Sequence, residues 1–285
     1  MKKIIFIVMV IPQMLIAKNI SIHGHRGARA ARPENTMAAF KYALEVGVDV
    51  LEFDLSVTKD NVLVISHDPY INPTICQHQN GQELKAKTII RDLTLKQVQM
   101  FDCGSIRNPR FPKQILSPGE KIPTLDELFL YISKNNKKVE FNIETKIIPG
   151  QPELTVSPEK FSQLLIKIIK IIIKKFKMEK RTIVQSFDYR TLKWIKKLYP
   201  QVRTSQLIYG GMVDLVAAAK AINADIVSPH YSWINKDEVQ RLQNNGIQVA
   251  PWTANDKQVW DKLIKMGVDA IITDDPAVLK KYLNY

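Results

Sequence analysis

From Ile20 almost to the C-terminus the chain repeats one pattern: a short β-branched run, a polar bend, then a segment with apolar residues at helical spacing. The runs are 20–24, 49–55, 62–66, 138–144, 182–186, 203–208, 225–228, 247–251 and 269–273. The amphipathic segments are 36–46, 126–135, 158–178, 189–198, 212–222, 236–245, 256–266 and 276–283. Strands joined through helices lie parallel, and a parallel sheet needs both faces covered. The alternation therefore restricts the chain to α/β architectures.

Nine runs are one more than an eight-stranded barrel needs. Those at 49–55 and 62–66 are too close for a crossover helix, so they form an antiparallel hairpin. Eight strands remain, each followed by a helical pattern, which is the count of a (β/α)8 TIM barrel. An open doubly wound sheet would carry a G-x-G-x-x-G loop after its first strand, and none is present. The stretch 69–123 breaks the pattern: it is polar, rich in Pro, Gly and Asn, and has one short helical pattern near Thr94 to Met100. It reads as a small inserted subdomain after the hairpin strand that leads to His67.

The first residues, MKKIIFIVMVIPQMLIAKN, combine two lysines, an apolar stretch and a small residue at Ala17, the layout of a secretory signal peptide over 1–17. Pro12 and Gln13 interrupt a stretch already shorter than the ~20 residues that span a bilayer. The expected mature domain is 18–285, exported to the periplasm or secreted. Export makes Cys76 and Cys103 candidates for a disulfide. The formal charge of +13 (+11 without Lys2 and Lys3) favours anionic ligands. Nucleic acid is not expected, because no zinc-finger, RNA-binding or helix-turn-helix pattern accompanies the charge. Much of it lies on one helix, where Lys167, Lys170, Lys174 and Lys177 stand opposite Ile168, Ile169, Ile172 and Ile173. This is a solvated face with at most weak membrane-surface contact.

Glu52 and Asp54 in LEFDLSVTKDNVLVISHD are two apart on a strand, so their carboxylates share a face. A two-residue turn at Asp60-Asn61 pairs Asp54 with His67; a three-residue turn shifts that register. Adjacent carboxylates repel unless a cation or a shared proton relieves them. A divalent ion does so economically, and hard oxygen ligands suit Ca²⁺ or Mg²⁺. Glu144, ending the next barrel strand in VEFNIETK, offers a third carboxylate, and Lys146 follows on the same side. In SIHGHRGARAARPENT, His25 and Arg26 also stand at a strand end, where barrel active sites assemble. His25 and His67 can serve as general base and general acid around one phosphorus. Arg26 offers a fork for phosphate oxygens, and Gly27 permits close backbone approach. His23 lies one pleat deeper and reads as a core histidine. Asn35 or Thr36 caps the following helix, Glu34 is a candidate neighbour of the chemistry, and His230, near the end of a late strand, reads as a surface histidine with substrate contact as the alternative.

The blocks HRGARAARPENT, LEFDLSVTKDNVLVISHD and NIETK, in that order, resemble the glycerophosphodiester phosphodiesterase family, with weaker matches at QSFD, PWTAN and GVDAIITDDP. The resemblance implies a (β/α)8 barrel with an insertion, His25 and His67 as the acid/base pair, and Glu52, Asp54 and Glu144 as ligands of one divalent cation. It implies Arg26 and Lys146 as phosphate contacts, with Phe187 and Trp252 lining the alcohol side. The implied reaction is hydrolysis of a small glycerophosphodiester to glycerol 3-phosphate and an alcohol. Two rivals stand beside it: a phospholipase D-type hydrolase of lysophospholipids, and a surface binding protein that has lost catalysis.

Overall fold

The computed structural model describes residues 19–135, 138–176, 179–210 and 213–284. The expected signal peptide 1–17 lies outside them, as do the ends of the 158–178 and 212–222 segments at 177, 178 and 212.

Strands β1 (Ser21–Gly24), β2 (Val50–Val57), β3 (Leu63–Ile65), β4 (Glu140–Thr145), β5 (Thr182–Ser186), β6 (Arg203–Ile208), β7 (Ile226–Pro229), β8 (Gln248–Val249) and β9 (Ala270–Thr273) make the main sheet. Eight of them run parallel in the order β8-β7-β6-β5-β4-β2-β1-β9, and β3 pairs antiparallel with β2 outside that path. The gap between β8 and β9 is bridged by backbone hydrogen bonds Asp269 N to Val249 O, Ile272 N to Pro251 O and Ala254 N to Ile272 O, each 3.0 Å. The result is a nearly closed TIM barrel, as the alternation predicts. Around it lie α1 (Met37–Val46), α2 (Leu95–Val98, within the insertion), α3 (Leu125–Asn135), α4 (Pro158–Phe176), α5 (Tyr189–Leu198), α6 (Leu215–Ala221), α7 (Lys236–Asn244), α8 (Lys257–Met266) and α9 (Pro276–Tyr282).

The Gly-Val-Asp triplets at 47–49 and 267–269 show how the sequence builds this repeat. Gly47 (φ 75°) and Gly267 (φ 78°) end α1 and α8 in the left-handed conformation. Val48 and Val268 then bury. Asp49 and Asp269 accept from the backbone N of the neighbouring strand, Ile22 at 2.9 Å and Val249 at 2.8 Å, and Asp225 does the same to Thr204 N at 2.7 Å. Helix stop and strand register are thus encoded together. At the other end, Thr36, Asp188, Asp214, Asn235, Asp256 and Asp275 cap their helices.

β2 is buried along its whole length. Leu51, Phe53 and Leu55 pack into the main hydrophobic core, where Phe53 meets Phe40 of α1 edge-on at 5.8 Å. Strand alternation sends Glu52 and Asp54 to the opposite face, the barrel interior. Among the lysine-rich segment, Phe161, Leu165, Ile166 and Ile169 of α4 bury while Lys167 and Lys170 stay exposed. No helix among the described residues is long and apolar enough to cross a membrane.

The hairpin has the three-residue turn. Thr58 N donates to Val62 O, leaving Lys59, Asp60 and Asn61 in the loop, with Asn61 left-handed (φ 61°). The pairs are therefore Leu55 with Ile65 and, by the bond from Ser66 N, Asp54 with Ser66. Pairing of Asp54 with His67 is corrected by one residue. β3 ends at Ile65, so strand alternation no longer dictates where His67 points.

Within 69–123, Tyr70–Ile71 pairs with Thr88–Ile89 and Gln77–His78 with Phe101–Asp102. Val64, Ile71, Cys76, Ile90, Val98, Phe101, Cys103 and Ile122 form a small separate core containing the Cys76–Cys103 disulfide. Thr94 and Gln97 form a capping box on α2. The segment reaches over β1: Gln114 Nε2 donates to the carbonyls of Arg29 and Arg32 at 2.8 Å, and Ile115 N to Ala31 O at 2.9 Å.

Candidate metal and phosphodiester site

The parallel register of β2 and β4 sets Asp54 beside Glu144, and the period of two sets Glu52 on the same face. One carboxylate oxygen from each of the three lies within 4.8 Å of the others. Burial, with Asp54 and Glu144 pushing the same way, raises the Glu52 carboxyl well above its usual range. Burial also raises Glu144, against the pull of Lys146. Asp54 goes the other way: burial would raise it, but His67, Lys146 and Arg26 outweigh burial and hold it ionised. Asp54 Oδ1 is buried without a hydrogen bond, with Lys146 Nζ 3.5 Å away. A buried carboxylate oxygen lacking a donor and facing two further carboxylates fits a hard divalent cation of the Ca²⁺ or Mg²⁺ kind.

Hydrogen bonds fix these carboxylates. Glu52 Oε1 accepts from Gln185 Nε2 (2.7 Å) and its Oε2 from Arg26 N (2.8 Å). Asp54 Oδ2 accepts from Asn35 Nδ2 at 3.0 Å, and Lys146 Nζ donates to Glu144 Oε1 at 2.6 Å. Asn35 reaches inward because its backbone is left-handed (φ 56°); Thr36 is the cap of α1.

Two histidines flank the cluster, each tied through Nδ1 to an aspartate. His25 Nδ1 lies 2.5 Å from Asp274 Oδ1 and His67 Nδ1 2.9 Å from Asp68 Oδ1. The aspartates are themselves held, Asp274 by Arg29 and Asn255, and Asp68 by Asn72. An Nδ1–H donated to a carboxylate leaves Nε2 as the working nitrogen of a neutral ring. His25 Nε2 lies 3.9 Å from Glu52 Oε2. Burial, reinforced by Arg29 and partly offset by Asp274, lowers its imidazole to about 4. Asp274 stays ionised, because His25 and Arg29 outweigh the effect of burial.

Arg26 has a left-handed backbone (φ 50°), as has Gly27 (φ 82°). A Cβ on Gly27 would stand 2.9 Å from the backbone of Ala39, so this glycine serves the packing of the loop on α1 rather than approach to a ligand. Arg26 is buried, 2.5 Å from Glu34 Oε1 and 3.5 Å from Asp54 Oδ2. Lys146 is held ionised by Glu144 and Asp54 despite its burial.

His25, Arg26, Glu52, His67, Glu144 and Lys146 open into one cleft of about 600 Å³. Its far wall is aromatic: Phe187 meets Trp252 edge-on at 5.5 Å, while Tyr209 and His230 lie 6.0 and 5.3 Å from the same indole. Trp252 Nε1 donates to Ser228 O at 2.8 Å, which fixes the ring. His230 is thus part of this wall, not an isolated surface histidine. His23 is buried at the other end of the barrel, as its deeper pleat position predicts. The residues holding the site that the sequence reading did not single out are Gln185, Asp274, Asn255, Arg29 and Asp68. Asp274 was the most accessible of them, an acid directly after a strand.

Comparison with known proteins agrees with this geometry. The model of the glycerophosphoryl diester phosphodiesterase family matches residues 25–278. A glycerophosphodiester phosphodiesterase of Caldanaerobacter subterraneus subsp. tengcongensis is 35% identical over 257 residues, covering 90% of this chain and 94% of its own. Among solved structures, a Silicibacter pomeroyi protein provisionally assigned as a glycerophosphoryl diester phosphodiesterase superposes with a TM-score of 0.85 at 25% identity, covering 93% of each chain. A phosphodiesterase of Oleispira antarctica, solved with the product sn-glycerol-3-phosphate, shares the fold with a TM-score of 0.76 at 22% identity, covering 93% of this chain and 97% of its own. With a carboxylate cluster, two aspartate-tethered histidines and this family match over nearly the whole barrel, the chain belongs to the glycerophosphoryl diester phosphodiesterase family of hydrolases.

Proposed function

We propose that the protein hydrolyses glycerophosphodiesters to glycerol 3-phosphate and an alcohol, with His25 and His67 as the general acid/base pair. The observation that carries the reading is that both imidazoles have Nδ1 committed to an aspartate while Glu52, Asp54 and Glu144 converge between them. Glu52, Asp54 and Glu144 would hold one Ca²⁺ or Mg²⁺ ion, which when bound supplies positive charge for the phosphoryl oxygens.

The chain's own residues account for the rest. Arg26 and Lys146 bind the phosphate oxygens and add charge where it develops. One histidine takes the proton of the glycerol 2-hydroxyl as that oxygen bonds to phosphorus; the other gives a proton to the departing alcohol oxygen. The bond to the leaving alcohol breaks, leaving a cyclic phosphate. Water then opens it with the histidines in exchanged roles, and glycerol 3-phosphate leaves. Asp274 and Asp68 keep the rings in the tautomer and orientation this needs. Phe187 and Trp252 receive the apolar edge of one alcohol. The leader-like 1–17 segment supports export, to the periplasm or outside the cell, where deacylated phospholipids would be met.

A second reading, hydrolysis of lysophospholipids, is favoured by the exposure of Phe187 (41%) and Tyr209 (69%) on the cleft wall. Following phosphorus-31 NMR of glycerophosphocholine and lysophosphatidylcholine in parallel, with divalent ion present, separates the two. Glycerol 3-phosphate from the soluble substrate is expected; turnover of the acylated compound alone would transfer the assignment to the second reading.

A further inference from the structure

We infer that Arg110, carried into the cleft by the insertion, reads a second negative charge on the substrate, so that the preferred alcohol arm bears an anionic group. The inference rests on the phosphodiesterase reading of the site. The buried cations of the cleft are already matched, Arg26 with Glu34, Lys146 with Glu144 and Arg29 with Asp274, whereas Arg110 stands exposed at its rim. Arg110 lines the same cleft, yet its guanidinium makes no ion pair among the described residues. The ring of Phe111 lies 6.0 Å from its guanidinium carbon and 5.2 Å from that of Arg29.

The side chain is also anchored at its base. Its backbone N donates to Asn108 Oδ1 at 3.0 Å, and Asn108 Nδ2 donates to Glu34 Oε2 at 3.1 Å, the carboxylate that also holds Arg26. The insertion therefore stands over the ends of β1 and β2, whereas Phe187, Tyr209, His230 and Trp252 follow β5 to β8 across the barrel. A phosphodiester centred at Glu52, Asp54 and Glu144 must send its two arms to these opposite flanks. One arm meets an aromatic wall; the other meets an arginine without a carboxylate. A quaternary ammonium on that second arm would be repelled, and a phosphate would gain a charge-assisted, two-pronged contact. The basic chain as a whole favours the same choice.

The test compares 1,3-bis(glycerophospho)glycerol, which carries a second phosphate, with glycerophosphocholine. The ratio of their kcat/KM values is measured at low ionic strength for the full chain, for Arg110→Ala and Arg110→Glu, and for Lys113→Ala as a nearby exposed cation. The wild type and Lys113→Ala should favour the bis-phosphate about tenfold or more; Arg110→Ala should lower that ratio about tenfold through KM, and Arg110→Glu further. A ratio insensitive to both Arg110 changes, with both substrates turned over, overturns the inference and leaves the phosphodiesterase reading standing. Failure of the wild type to turn over both substrates overturns the inference and the phosphodiesterase reading together.

Discussion

His25 Nδ1 lies 2.5 Å from Oδ1 of Asp274, 249 residues later in the chain and one position beyond β9. Because β9 is the direct neighbour of β1, barrel closure itself delivers this partner. The carboxylate holds the ring in one tautomer with Nε2 toward the cleft. Asp274→Asn should therefore lower kcat about 100-fold, the scale of a misplaced acid/base group, with KM little changed. Steady-state kinetics and a melting curve of the variant check this; an unaltered kcat would remove the positioning role.

Glu52, which we propose as a ligand of the ion, is held at a cost when no ion neutralises it. Its burial beside Asp54 and Glu144 raises its carboxyl, so removing the charge relieves repulsion. Glu52→Gln removes that repulsion but also one of the two hydrogen bonds Glu52 accepts, from Gln185 and from Arg26 N, so the informative quantity is the response to ion. On adding Ca²⁺ at about 100 times its Kd the wild type should gain about 2.7 kcal/mol, a gain the variant should largely lose. Differential scanning calorimetry with and without ion reads that difference; an equal gain in the variant would remove Glu52 from the ion site.

Much of this was legible in the sequence. The period of two in Leu-Glu-Phe-Asp-Leu puts carboxylates inside and apolar residues outside, and Glu144 ends the adjoining strand. The hairpin register was less accessible, because Asp60-Asn61 suits both a two-residue turn and the end of a three-residue one, and a left-handed Asn61 fits either. Gly27 was read through a ligand and is explained by Ala39, a contact that exists only once α1 has packed. Asp274, Gln185 and Asn255 escaped notice because their partners lie more than 100 residues away or depend on barrel closure. The insertion lacks periodicity, so Arg110 acquires its setting from tertiary contacts alone.

His23 provides a test of the barrel interior. Burial, with Arg203 adding to it, lowers its imidazole to about 3 from the ordinary 6.5. Between those values the unfolded chain binds a proton that the folded chain refuses, so this contribution to stability is full above pH 6.5 and is lost as pH falls. The local slope should approach about 1.4 kcal/mol per pH unit. Denaturant titrations across that window should give a flatter profile for His23→Gln than for the wild type; matching profiles would contradict the neutral, buried assignment.

The disulfide closes a loop of 27 residues within the small core of the insertion. Cys76→Ser with Cys103→Ser should lower stability by about 3.5 kcal/mol, on the loop-entropy scale. Far-ultraviolet dichroism should remain that of a barrel, since the main core does not include either cysteine. Limited proteolysis should cut first within 69–123; first cleavage elsewhere would show that the bond does not secure this segment.

The central claim is that Glu52, Asp54 and Glu144 hold one divalent ion on which phosphodiester hydrolysis depends. Its most direct test is glycerol 3-phosphate release from glycerophosphocholine by chelated protein titrated with Ca²⁺ or Mg²⁺, in the wild type and in Asp54→Asn. The account predicts negligible activity after chelation, recovery along a single-site curve in the wild type, and no comparable recovery in the variant. Full activity of the chelated wild type, or equal recovery in Asp54→Asn, would contradict it.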